Sequence, residues 1–490
     1  KTWKMLPKAQ AVRHKVAAVL GIDLGTSFFK IGFVDEAGRF AGFSRISVNP
    51  LQGPLGSGQR CELSVADFIG SLRLGISDCL SRSGLSASDI DGISYSSQAN
   101  SFVLLDRDDS PLTNIILWPD TRSGIDPAVR ELWADRHFIE TTATGVRGNI
   151  SAVNKIRWLQ KQRPDIWKQT CRIMTISDYL VYLLTGERKG DRGTASLLGL
   201  YDLWNSRWWD DALRLLDIPR EYLSTPLRPG SPAGSVGKEG AGLFGLVEGI
   251  PVFAGSLDHH VAAAGAGAGS IAPMCDSTGT VLACLAPAEE YTPAENQCFL
   301  PDVSGAGYSR IAFTENSAGV LAWYRREHAP EKTIEQLVAV AGTAPPGCDG
   351  LTARPFADSY PGLSGFFVQG KRQAGSASAA DKAFSDGHYV RAIMESVAES
   401  LGKLAESLQH SEAAPGEKVP PMVATGGGAK SDLWLQIKAD LLRTAFLRTA
   451  VEEPACYGAA IIAASGCGWF PSLSDAVRSW VRVEREFRCA

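Results

Sequence analysis

The stretch Gly21-Ile-Asp-Leu-Gly-Thr-Ser-Phe-Phe-Lys30 constrains this chain more than any other. Val16-Ala-Ala-Val-Leu20 precedes it and Ile31-Gly-Phe-Val34 follows, so two apolar, β-branched-rich runs flank a polar turn. That pattern predicts strand, tight turn, strand. Gly25 has no Cβ, which lets a phosphate approach its backbone N–H closely. Thr26 and Ser27 add hydroxyl donors, and Asp23 is a carboxylate able to hold a metal ion. An ordinary hairpin with a polar tip has the same pattern, so the turn alone leaves both readings open.

At 490 residues the chain exceeds one ordinary core and predicts two or three domains. Its 49 basic and 53 acidic residues leave a net charge of −4, which removes the electrostatic argument for a nucleic-acid or acidic-membrane partner. A small molecule is the expected partner. Ten cysteines are scattered without a Cys-x-x-Cys pair or a Cys/His cluster at metal-ligand spacing. They read as reduced thiols in a cytoplasmic protein. No apolar run reaches the length of a membrane span. Residues 1–15 carry Lys1, Lys4, Lys8, Arg13 and Lys15 without an apolar core, so a secretory signal is not expected there. A native extension, a tag remnant and a trimmed targeting segment all stay open for them.

Apolar spacing along 64–83 predicts an amphipathic helix capped by Ser64. Asp91–Tyr95 and Ser101–Asp106 read as strands around the polar tip Ser96–Asn100. From there strands and helices alternate, which makes the class α/β. Trp118 to Leu216 is tryptophan-rich and helical, interrupted by a polar turn at Glu187–Gly193. Pro226 to Gly245 reads as a surface loop, and Gly370 to Lys382 as another. Helical spacing returns over His388–Leu408, Leu433–Leu442 and the small-residue run Tyr457–Ala464.

Three strand-to-glycine turns carry the chemistry: Asp23–Ser27, Asp276–Thr280 and Thr425–Lys430. Each alone reads equally as a structural turn. Together they make donor-rich loops around a nucleotide, two for phosphates and one near adenosine. No Gly-x-x-x-x-Gly-Lys-Ser/Thr occurs, which excludes a P-loop. Gly240-Ala-Gly-Leu-Phe-Gly245 matches Gly-x-Gly-x-x-Gly but follows a polar stretch rather than a strand, so it reads as a loop. Asp258 follows the strand Ile250–Ala254 and precedes a small-residue helix. It is placed either to cap that helix or to take a proton from an attacking hydroxyl. His259 and His260 are neighbours on a helix and point apart, so a polar substrate contact by His259 is expected rather than a metal site.

The chain resembles the FGGY family of carbohydrate kinases, within the actin-like ATPase superfamily, from about Val16 to Gly466. The matching pieces come in order: Gly21–Ser27; Val103–Asp106 before Trp118-Pro-Asp-Thr-Arg122; Asp178-Tyr179 with Leu184–Glu187; Gly255-Ser-Leu-Asp258; Ser277-Thr-Gly-Thr280; Arg391–Glu395; Gly426–Ser431; and Gly458-Ala-Ala460. The resemblance implies an α/β fold with two ribonuclease-H-like domains closing over a cleft for ATP, Mg²⁺ and a sugar or polyol. It places the N-terminal, sugar- and phosphate-binding domain at 16–260, the nucleotide-binding domain at 261–470 and a terminal segment at 471–490. By that likeness Asp23 would help hold Mg²⁺ through water, and the turn Gly25, Thr26 and Ser27 would meet the terminal phosphate. Gly279 and Thr280 would be the second phosphate contact, with Gly427, Gly428 and Ser431 beside adenosine. Asp258 would be the general base.

Departures fall at the sugar end. Members resembling xylulose kinases carry Gly-Gln-Met-His where this chain has Ser97-Gln-Ala-Asn100, and Asp-Asn where it has Asp258-His259. Gln98, Asn100, Trp118, Asp120 and His259 are the expected sugar contacts. Trp118 reads equally as core, and Asp120 with Arg122 equally as a structural ion pair. The expected reaction is ATP-dependent phosphorylation of a primary hydroxyl of a ketose, such as a pentulose, or of a polyol. The rival is an actin-like nucleotide switch or sugar sensor without catalysis. A homodimer is compatible with the family.

Overall fold

Every residue of the strand Ala18–Leu24 is buried, as befits a strand covered on both faces. It pairs antiparallel with Phe28–Asp35, which pairs antiparallel with Phe40–Ser47. On its other side it runs parallel to Ile90–Ser97, which runs parallel to Pro251–Phe253 and Ser256–Leu257. Pro232–Ser235 forms the outer edge of this seven-stranded sheet. The computed structural model describes residues 17–55, 58–145, 147–304, 307–355, 363–369, 371–373, 384–409 and 418–489. The N-terminal segment 1–15 and most of the expected loop at 370–382 lie outside the described residues.

A second sheet repeats this plan. Met274–Thr278 pairs antiparallel with Leu282–Ala288, which pairs antiparallel with Tyr308–Thr314. Met274–Thr278 also runs parallel to Met422–Thr425, and that strand parallel to Phe446–Thr449. With Gln297–Pro301 and Val483–Phe487 at its edges, this sheet too has seven strands. Three antiparallel strands followed by parallel ones, twice over, is the duplicated ribonuclease-H-like architecture expected from the sequence.

Two small-residue helices join the halves. Asp258–Ala266 packs against Pro454–Gly466, and the latter lies on Ala18–Leu24 and Ile90–Ser97 of the first sheet. Glycine permits that approach: a Cβ on Gly265 would stand 2.1 Å from Pro454 O, and one on Gly458 2.1 Å from Val261 O. The other side of Asp258–Ala266 is core of the second half, where Ala263 and Ala266 meet Cys275, Ala283 and Val423. The helix that begins at Asp258 is therefore shared between both sheets.

Insertions between strands of the first sheet build an added unit. Its five-stranded sheet takes in Leu51–Leu55, Gly58–Leu63, Ile115–Ile116, Phe102–Leu105 and Arg172–Thr175. Segment 143–145 reaches the edge of the second sheet, with Gly145 N–H donating to Gln297 O (2.7 Å) and Phe299 N–H to Ala143 O (3.0 Å).

The helix Val65–Ser83 is capped by Ser64, whose hydroxyl accepts from Asp67 N–H at 3.0 Å. Three sequence readings need correction. Pro226–Gly245 is not a loop, since it holds two short strands and the helix Lys238–Phe244. Gly240 serves packing there, for a Cβ on it would meet Leu184 O at 2.3 Å. Lys189–Asp191 is a strand and Arg192–Ser196 a helix, where only a turn was expected. A helix, Leu473–Trp480, follows the small-residue run that read as the last one. No described helix is long and apolar enough to cross a membrane. All ten cysteines are free thiols.

Candidate active site

Strand register places the first group of residues. Leu24 and Leu257 both pair with Ser97, one on each side of it. The chain leaves this row at one end of the sheet, so the Gly25 turn and Asp258 flank Gln98 roughly 10 Å apart, two strand spacings. Leu257 is the N-cap of the following helix and offers no capping side chain. Asp258 is thus the first helical residue rather than the cap, and its half-buried carboxylate accepts from His259 N–H at 2.7 Å.

Asp23 is 3% exposed. Its Oδ1 accepts from Ser96 Oγ at 2.9 Å, and Lys30 Nζ stands 3.3 Å from Oδ2. Lys30 also reaches Glu453 at 2.9 Å, just before the helix Pro454–Gly466. Burial raises the Asp23 carboxyl from 3.8 to about 6, with Lys30 opposing the rise and the negative charge of Asp258 adding to it. The charge of Asp258 thus reaches Asp23, and Lys30 is the cation that stands against Asp23 Oδ2.

Gln98 braces the first turn instead of facing open space. It is 2% exposed, its amide donates to Leu24 O and Gly25 O, both at 3.3 Å, and Ser101 Oγ donates to its Oε1 at 2.9 Å. Trp118 is half-buried and its Nε1 donates to Thr26 Oγ1 at 2.8 Å. Asn100 occupies a left-handed conformation (φ 58°), which asparagine tolerates well, and its Oδ1 accepts from Ala152 N–H at 3.0 Å. Ser27 is exposed at the turn's end.

Asp120 is fully buried. Its carboxylate takes Cys61 N–H at 2.7 Å and the Arg122 guanidinium at 2.5 Å, while Arg122 also reaches Glu62. His259 is half-buried and packs edge-on against Phe313 of the second sheet, ring centres 5.4 Å apart. Beside Phe313 a cavity of about 670 Å³ opens between the halves, lined by Trp133 and Arg147 from one side and Asn296 from the other.

The remaining turns meet within the second half. A Cβ on Gly426 would stand 2.5 Å from Thr278 O, and one on Gly428 2.6 Å from Thr278 Cγ2, so Gly426–Gly428 lies directly on the Thr278–Thr280 turn. Thr280 and Gly427 are exposed. Gly279 O is held by Ser317 Oγ at 2.8 Å. Ser431 caps the helix Asp432–Leu442 by accepting from Trp434 N–H at 3.1 Å. Behind these turns Lys438, fully buried, donates to Asp276 Oδ2 and Thr278 Oγ1, both at 2.5 Å.

Several partners escaped the sequence reading. Lys30 was legible, because the hairpin register sets it opposite Asp23. Lys155 and Lys438 gave no signal in the sequence. Lys155 is fully buried and donates to the carbonyls of Asn100 (3.1 Å), Leu117 (3.1 Å) and Trp118 (3.2 Å). Burial lowers its ammonium from 10.5 to about 7.

A model of the N-terminal domain of the FGGY family of carbohydrate kinases matches residues 18–265, and its C-terminal counterpart matches residues 222–467. The chain belongs to the FGGY family of carbohydrate kinases. As a family member it is an ATP-dependent phosphotransferase with an alcohol group as acceptor, acting on a small carbohydrate. Among its relatives, a xylulose kinase of Bacillus subtilis (strain 168) is 29% identical over 481 residues, covering 96% of this chain and 92% of that protein. An L-xylulose/3-keto-L-gulonate kinase of Escherichia coli (strain K12) is 28% identical over 474 residues, covering 94% and 90%. A solved xylulose kinase structure from Rhodospirillum rubrum shares the fold at a TM-score of 0.82 and 24% identity, covering 96% of this chain and 94% of the other. These kinase relatives do not favour the non-catalytic switch.

Proposed function

We propose that this FGGY kinase transfers the γ-phosphate of ATP to a primary hydroxyl of a ketose, a pentulose such as xylulose, with Asp258 as general base. The observation that carries this reading is the row Leu24–Ser97–Leu257, which sets the Gly25 turn and the Asp258 carboxylate on either side of one sheet end. His259 N–H holds Asp258 Oδ1, leaving Oδ2 to take the proton of the attacking hydroxyl. A positioned carboxylate of this kind contributes roughly 100- to 10,000-fold in rate.

The N–H and hydroxyl donors of Gly25, Thr26, Ser27, Gly279 and Thr280 would receive the phosphates, and Gly427 and Gly428 would lie beside adenosine. Ser431 would act there by capping the helix behind the turn. The described residues hold no group of three metal-ligating side chains, while Mg²⁺ ordinarily takes one or two carboxylates plus phosphates. Asp23, beside Asp258, fits that habit and would hold Mg²⁺ through water. When bound, the ion offsets charge on the transferring phosphoryl group.

On the sugar side, Trp118, Asn100 and His259 would border the substrate. Gln98 and Asp120 would act through others, Gln98 by bracing the Gly25 turn and Asp120 by fixing Arg122. Mass-spectrometric identification of the product from Mg²⁺-ATP and a panel of xylulose, ribulose, fructose, xylitol, glycerol and gluconate tests the proposal. A pentulose phosphate formed well ahead of the others supports it. A preference for glycerol or gluconate overturns the ketose assignment.

A further inference from the structure

A second cavity, of about 290 Å³, lies on the far side of the helix that starts at Asp258. Its walls come from that helix, from the loop 268–273, from the strands Leu282–Ala288 and Tyr308–Thr314, and from the start of the helix Leu473–Trp480. Two buried polar side chains on this lining are unpartnered. His260 is 2% exposed and neither ring nitrogen has a hydrogen-bond partner; Ser309 is 8% exposed and its hydroxyl has none. Leaving such groups bare forfeits the hydrogen bonds they make with water in the unfolded chain, so something polar is expected to satisfy them.

The chemistry of the lining narrows the occupant. Burial, reinforced by His259, lowers the His260 imidazole to about 3, so at neutral pH it offers one donor and one acceptor. The Ser309 hydroxyl both donates and accepts, and the Ser270 and Ser474 hydroxyls, bonded to each other at 2.8 Å, add further polar wall. Among the described residues the one charged side chain on the lining is Asp302, whose Oδ1 accepts from Ser304 N–H at 2.8 Å, so an anion is disfavoured. Ala263, Ala264 and Ala268 supply the apolar remainder. The volume is roughly ten times the ~30 Å³ share of a liquid water molecule and sits at the lower limit, roughly 300 Å³, of small-molecule sites.

We infer that this cavity is a second binding site, separate from the cleft, for a small neutral polyhydroxyl molecule held by His260 and Ser309. The inference goes beyond the kinase reading, and its test does not depend on turnover. Adjacent residues on one helix report on the two places: His259 packs on Phe313 beside the cleft, while His260 lines the cavity.

With histidine labelled at the imidazole carbons, the seven signals are followed by NMR during titration of the full chain with xylitol. His260→Gln identifies the His260 signal by its loss. The expected result is a saturable shift of the His260 signal that persists in Asp258→Asn. Ser309→Ala should weaken it roughly fivefold, the equivalent of about 1 kcal/mol for one hydrogen bond. Ala268→Leu, which fills the space, should abolish it. A His260 signal that never moves, with ordered water alone in the cavity, overturns the inference. So does a shift that Ser309→Ala and Ala268→Leu both leave intact, since it would be transmitted from the cleft. Failure of the kinase reading is recorded separately, as absent sugar-dependent ADP formation by the wild type.

Discussion

Trp118 Nε1 donates to Thr26 Oγ1 at 2.8 Å, tying an aromatic residue at the sugar end to the turn proposed to meet the terminal phosphate. Trp118→Phe keeps most of the ring and removes the donor. The expected loss in kcat/KM is roughly fivefold, about one hydrogen bond, with an unchanged melting temperature. A fall in melting temperature without loss of kcat/KM would mark Trp118 as core only.

Asp23 supplies the acid limb of the pH profile. Its carboxyl is raised from 3.8 to about 6, so the proposed Mg²⁺-holding form appears as pH rises through about 6. kcat/KM is expected to rise there with the loss of a single proton. Stability moves the other way: between about 4 and about 6 the folded chain holds a proton that the unfolded chain lacks, so Asp23 costs stability as pH rises through that window. Asp23→Asn removes both effects, which pH-rate profiles and urea melts would record.

Lys155 clamps Asn100 to Leu117 and Trp118 through three carbonyls. Its folded value of about 7 lies below the ordinary 10.5, so across that interval the unfolded chain carries the extra proton. Stability therefore rises with pH from about 7 upward, and the full cost of burying the charge applies below. Relative to Lys155→Met, the wild type should gain stability between pH 7 and 10 in urea melts. The variant should also raise KM for sugar more than KM for ATP.

Gly458 lets two helices touch. A Cβ there would stand 2.1 Å from Val261 O, in the helix that starts at Asp258. Gly458→Ala should cost about 1–3 kcal/mol in urea denaturation, the range of an overpacked core. Gly242→Ala is the control: it sits in the helix Lys238–Phe244 with no atom within 4 Å of the added Cβ, and should be neutral or stabilising by up to about 1 kcal/mol.

The contrast between Gly240 and Gly242 also explains what a single chain conceals. Both belong to one Gly-rich segment that reads as a loop, yet Gly240 is fixed by Leu184 O, a neighbour that local pattern does not supply. The turns at Asp23–Ser27, Asp276–Thr280 and Thr425–Lys430 were legible because strand, glycine and hydroxyl lie together in sequence. Pairing in the hairpin made Lys30 legible as well. Lys155, Lys438 and Glu453 were not, since each meets its partner only after long loops close. Gln98, Asn100 and Asp120 were located as segments, and the local pairing of Asp120 with Arg122 was legible, but their hydrogen bonds with Gly25, Ala152 and Cys61 depend on three-dimensional neighbours.

The most direct test of the account is single-turnover phosphoryl transfer by wild type and Asp258→Asn with saturating Mg²⁺-ATP and xylulose. Asparagine keeps the size of the side chain and removes its proton-accepting charge. The account predicts a drop in the chemical step of roughly 100-fold or more, with sugar and ATP binding retained. A variant that transfers phosphate at the wild-type rate would contradict Asp258 as the base.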